Sequence, residues 1–96
     1  MTRNEVLTWL SERRPPPPPA LRARIERAVT EARLPLPEHL AGLGRTLLDG
    51  VAARPAGGRE LALDLLAADA FITYAFEAQA KADVDGVARL AEAVGR

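Results

Sequence analysis

The stretch LALDLLAADAFITYAFEA, residues 61–78, decides the fold, because wound as a helix it is apolar on two sides. At about 100° per residue, Leu61, Leu65, Ala68, Ile72, Ala75 and Phe76 line one face, and Leu63, Ala67, Ala70, Phe71, Tyr74 and Ala78 line another. Asp69, Thr73 and Glu77, spaced i, i+4 and i+8, leave only a narrow polar stripe, which Leu66 interrupts. A helix of this kind needs neighbours on both sides. The sequence therefore predicts an all-α protein, a small bundle of four to five helices around a central helix at about 59–81, with a second copy of the chain as a candidate for the outer neighbour.

On the C-terminal side, Asp83-Val84-Asp85-Gly86 offers an N-cap and a break ahead of a last helix carrying Val84, Val87, Leu90, Ala91 and Val94. A helix running straight through Gly86 costs only about 1 kcal/mol, so both readings stand. On the N-terminal side, Arg54-Pro55-Ala56-Gly57-Gly58 is a turn. Before it, Leu40, Leu43, Leu47, Leu48 and Val51 stripe a helix from about 37 to 53. Its Gly42, Gly44 and Gly50 either admit a close neighbour or fray the helix.

Residues 20–33 form a one-faced surface helix, with Leu21, Ile25, Ala28, Val29 and Ala32 inward and Arg22, Arg24, Glu26, Arg27, Glu31 and Arg33 around the rest. Leu34-Pro35-Leu36-Pro37 ends it, since each proline drives its predecessor out of the α region. The five prolines at 15–19 forbid helix and read as a polyproline II spacer of roughly 15 Å, the last of them suited to open the next helix. Thr2 and Glu5 have the spacing of a capping box before a short helix bearing Val6, Trp9 and Leu10 and ending near Arg13. Two or three turns do not stand alone, so Trp9 is its expected anchor. The organisation is then a docking helix at 1–14, a spacer at 15–19 and a helical bundle domain at 20–96. No strand period or solenoid repeat is present.

Ninety-six residues supply one core. The formal charge is zero, so no global field draws the chain to nucleic acid or an anionic membrane. Charge is uneven: residues 1–33 carry seven Arg against four acids, and residues 60–85 one Lys against six acids, which favours docking between the two segments. Without cysteine there is no disulfide, thiolate nucleophile or Cys-rich zinc site. The N-terminus lacks the apolar core of a signal peptide and no run is long enough to span a bilayer, which gives a cytoplasmic expectation. Twelve Arg against one Lys, with nineteen Ala, fits a high-GC bacterial coding bias.

Asp64 is the outstanding candidate for chemistry, because it falls inside the apolar arc beside Phe71 and Ala75, with Glu60 one turn earlier. A carboxylate kept dry is a candidate acid, base or ligand. The simpler reading pairs it with an arginine of the N-terminal segment or with the positive end of its own helix. His39 is the only histidine and has no Glu-x-x-His partner of the kind bundle metal sites need, so no metal or cofactor is expected. Ser11, the only serine, sits beside the prolines with no histidine near in sequence. Gly42-Leu43-Gly44 lacks the preceding strand of a phosphate cradle. Arg13, Pro16 and Pro19 fit the register of a proline-rich ligand, which five consecutive prolines satisfy trivially. The arginines of residues 20–33 are interleaved with Glu26 and Glu31, against a nucleic-acid face.

The sequence thus reads as a non-catalytic association module, a homo-oligomer and accessory subunit, using Trp9, Leu10, Leu61, Leu65, Ile72 and Phe76 and with a further protein partner at the N-terminal arm. The alternative is a small apolar-pocket protein or enzyme with Asp64, Phe71 and Tyr74 around its cavity.

Overall fold

The computed structural model describes the backbone of residues 1–54 and 57–95, and the side chains of all of these but 86, 89 and 93. Its elements are α1 (Arg3–Ser11), α2 (Pro19–Ala28), α3 (Leu36–Ala52) and α4 (Arg59–Val94), a small all-α bundle. α1 begins at the expected capping box: the Thr2 hydroxyl accepts from the Glu5 amide at 3.1 Å and the Thr2 amide donates to the Glu5 carboxylate at 2.9 Å. The Thr2 amide that donates to it and, to a lesser degree, the Thr2 side chain hold the Glu5 carboxyl below its ordinary value. Pro19 is the first residue of α2, where its missing N–H costs nothing.

α2 ends five residues earlier than the apolar spacing implied. Val29 is already extended, at φ −69° and ψ 131°. The β-branched pair Val29-Thr30 has little helix propensity, and the carbonyls freed at the helix end find another donor. The Arg3 guanidinium bonds to the carbonyls of Glu26 at 2.9 Å and Val29 at 3.1 Å, a cationic cap suited to a helix C-terminus. Val29 and Ala32 stay in the core all the same. The strand-like segment after α2 meets the chain start through a two-way pair between Met1 and Ala32, at 2.8 and 3.1 Å.

α3 lies along α4 as the most extensive helix pair, and α2 packs less extensively on α4. Phe71, Leu40 and Val6 are fully buried where α4, α3 and α1 converge, with Ile25 of α2 and Leu47 of α3 around them. Small residues on α4 allow the approach: Ala67 and Ala68 are fully buried. Of the three glycines in α3, only Gly44 is needed for it. A Cβ there would stand 3.0 Å from Ile72 Cγ1 and 3.1 Å from the Ala68 carbonyl, whereas Gly42 and Gly50 have open space. Gly58, at φ 146°, supplies the backbone conformation that admits the chain into α4. Pro55 and Ala56 of the expected turn lie outside the described residues.

The helix break read at residues 83–86 does not form. α4 is one helix of 36 residues, about 54 Å long at 1.5 Å per residue. The acids that read as caps serve instead as i, i+4 partners: Gln79 donates to Asp83 at 3.0 Å and Lys81 pairs with Asp85 at 3.0 Å. Those pairs offset the modest cost of Gly86. α4 therefore projects past the bundle, and the molecule measures 60 × 24 × 22 Å with a radius of gyration of 15.7 Å, where a compact chain of this length has about 13 Å.

Candidate interaction face and the Asp64 ion pair

α1 docks within its own chain. Trp9 meets Tyr74 of α4 edge to face, ring centroids 6.4 Å apart, a favoured aromatic geometry. The Arg13 guanidinium lies 3.9 Å from the centroid of the Trp9 ring and 3.6 Å from the Glu77 carboxylate. Leu10 packs against the core as well. Between α1, the proline segment and α2 lies a cleft of about 740 Å³ lined by Leu7, Leu10, Pro16, Pro17 and Ile25, with Tyr74 at its edge. Burial and the nearby Glu77 raise the Tyr74 phenol above its ordinary value, against a smaller opposite effect of Arg13.

Asp64 is buried, and two guanidinium groups close on it. Arg24 of α2 donates to one carboxylate oxygen and Arg54, just past α3, to the other. The Arg54 bond and that of Arg24 hold the carboxyl below its ordinary 3.8, although burial acts in the opposite sense. The charge asymmetry of the sequence anticipates Arg24. Arg54 was missed, since nothing in its turn-forming context singles it out. Arg27, Glu60 and Leu63 complete a shallow cleft of about 320 Å³ at this pair. Asp64 lines this cleft, Tyr74 lines the one under the prolines, and Phe71 is fully buried in the core. With both of its oxygens engaged by arginines, Asp64 is poorly placed as a proton acceptor. No group of three or more His, Cys, Asp or Glu that could hold a metal ion occurs among the described residues, and no helix there is long and apolar enough to cross a membrane.

The remaining candidates divide. Trp9 and Leu10 are half-buried against the core, Ile72 is half-buried against Gly44, and Leu61 is half-buried near the start of α4. Leu65 and Phe76 face outward, 45% and 72% exposed. They belong to a longer row that the sequence reading split between two helices. Leu66, Val84, Val87, Leu90 and Val94 are exposed too, the last four by 63–79%. At about 100° per residue, Leu65, Phe76, Val87, Leu90 and Val94 fall within a 60° sector of α4, and Leu66 and Val84 lie about 60° beyond its edge. The spacing was present in the sequence, and it becomes one row only when the helix runs through Gly86, which the sequence left open. Comparison of the chain with protein-family models, with curated proteins and with solved structures returns no match.

Proposed function

We propose that this protein is a non-catalytic helical association module that pairs with a second copy of itself through the outer face of α4, serving as an accessory subunit in a larger assembly. The observation that carries the reading is the row of seven large apolar side chains, each at least 45% exposed, along one side of a single continuous helix. Exposed large apolar side chains gathered on one side of a helix, here interrupted by Asp69 and Asp83, point to an interaction site. Full burial of each such side chain is worth roughly 1.5–3 kcal/mol, so recovering about half of it at seven positions on two copies yields roughly 15 kcal/mol gross. Association costs about 4–15 kcal/mol, and a surplus of several kcal/mol corresponds to roughly micromolar pairing. The polar side of the projecting segment mixes Lys81 with Asp85 and Glu92, unlike the Lys- and Arg-rich face of a membrane-surface helix.

Val87→Glu tests the reading. Val87 is 68% exposed and stands on the projecting part of α4, so the protomer keeps its fold while the seam gains a charge. Light scattering on a size-exclusion column should show the substituted chain as a monomer where the native chain is a dimer, with unchanged helix content by circular dichroism. Native and substituted chains of equal mass would reject it.

A further inference from the structure

The outer row on α4 has two halves of nearly equal length. Leu65, Leu66 and Phe76 lie on the part that α3 packs against, while Val84, Val87, Leu90 and Val94 lie on the projecting part. Each half covers about 15–17 Å at 1.5 Å per residue. The row as a whole is centred between Gln79 and Ala80. Two acids, Asp69 and Asp83, stand inside the same sector.

Resting on the self-association proposed above, we infer that the second copy binds antiparallel, so that the projecting half of each α4 covers the outer face of its partner's bundle. A two-fold axis beside Ala80 sets Val94 opposite the partner's Leu65 and Leu66, and Val84 opposite the partner's Phe76. Both bare halves are then covered by one operation, in the isologous manner of two-fold dimers.

Two arguments select this arrangement. The first is area. A seam from residue 65 to residue 94 is about 44 Å long and, at a helix width of about 12 Å, removes roughly 500 Å² per copy. The total of roughly 1,000 Å² reaches the size of a specific interface. Pairing of the projecting halves alone gives about a third of that and falls short. The second is charge. A parallel pair would set Asp69 against the partner's Asp69 and Asp83 against the partner's Asp83 inside a dry seam, and like charges so placed cost affinity. The antiparallel pair separates the two Asp69 carboxylates by roughly 30 Å along the axis, and the two Asp83 carboxylates by roughly 10 Å, about one Debye length.

The cysteine-free chain permits a direct test by single-cysteine cross-linking. Ala80→Cys, Leu65→Cys and Val94→Cys all fall on exposed positions. A disulfide needs Cα atoms within about 7 Å, whereas the two copies of residue 94 lie roughly 44 Å apart along an antiparallel pair. Under mild oxidation Ala80→Cys should cross-link with itself. Val94→Cys should not, and an equal mixture of Val94→Cys and Leu65→Cys should form the mixed disulfide at least about tenfold faster than either alone, as the raised effective concentration requires. Self-linking of Val94→Cys at the rate of Ala80→Cys would overturn the antiparallel arrangement in favour of a parallel one. A dimer in which none of the three positions cross-links would overturn it by moving the seam elsewhere. In both cases light scattering still reports a dimer and self-association stands, while a monomer in that measurement defeats self-association itself.

Discussion

Replacing Asp64 by Asn keeps the shape of the side chain and removes its charge, and the structure sets what that should cost. The Asp64 side chain is 8% exposed, its Arg24 partner 22% and its Arg54 partner 41%. Truncating one member of a fully buried pair costs about 3–5 kcal/mol, and an exposed pair contributes about 0–1 kcal/mol. Arg54 can return to water, but Arg24 is left largely enclosed beside a neutral amide. An intermediate loss of about 2–3 kcal/mol follows, or roughly 10–20 °C in Tm for a domain of this size. The pH dependence supplies a second signature. Because the carboxyl titrates lower in the folded chain than its ordinary 3.8, its contribution is present above that value and fades as pH falls through the lowered folded value. The native chain should therefore lose its advantage over Asp64→Asn in acid. Urea unfolding followed by circular dichroism at neutral pH and near pH 3 measures both. A double-mutant cycle with Arg24→Ala separates the Arg24 coupling from the rest. An Asn variant as stable as the native chain at neutral pH, or more stable, would refute the assignment of Asp64 as a paired structural group and reopen its reading as an acid kept ready for chemistry.

Gly44→Ala should destabilise by about 1–3 kcal/mol through overpacking against Ile72 and the Ala68 carbonyl, whereas Gly42→Ala and Gly50→Ala, with nothing nearby, should each stabilise by about 0.5–1 kcal/mol; chemical denaturation of the three variants decides. Trp9→Ala should cost about 2 kcal/mol, less than a fully buried aromatic, because Trp9 is half-buried on Tyr74; a variant melting with the native chain would mean that α1 is not held by that contact. Tyr74 titrates above its ordinary 10.0, so stability should be undiminished up to that pH and decline as the phenol is forced to ionise above it; Tyr74→Phe should lack that alkaline loss in a pH-resolved melt.

Much of the architecture was legible because it is written in local chemistry. Thr2 and Glu5 announced their cap through spacing alone, Pro19 announced a helix start, and Trp9 announced an anchor on a helix too short to stand unaided. The two boundaries that differ have different causes, one distant and one local. α2 stops at Ala28 because Arg3, 23 residues away in sequence from Glu26, takes the carbonyls at its end, a contact no window around α2 contains. α4 continues through Gly86 because the weak local preference for a break is outweighed by i, i+4 pairs on the same helix. That open boundary also left the outer face unread: only on a continuous helix do Val87, Leu90 and Val94 align with Leu65 and Phe76. The Asp64 pair was half legible. Charge asymmetry pointed to the arginine segment and found Arg24, while Arg54, two residues past the end of α3, lies outside that segment.

The most direct test of self-association through α4 is sedimentation equilibrium of the intact chain from about 1 to 100 μM, a range spanning the roughly micromolar affinity expected from the exposed row. The account predicts a reversible monomer–dimer equilibrium within that range, with the dimer predominant at the upper end. A single species of 10.3 kDa at every concentration would contradict it.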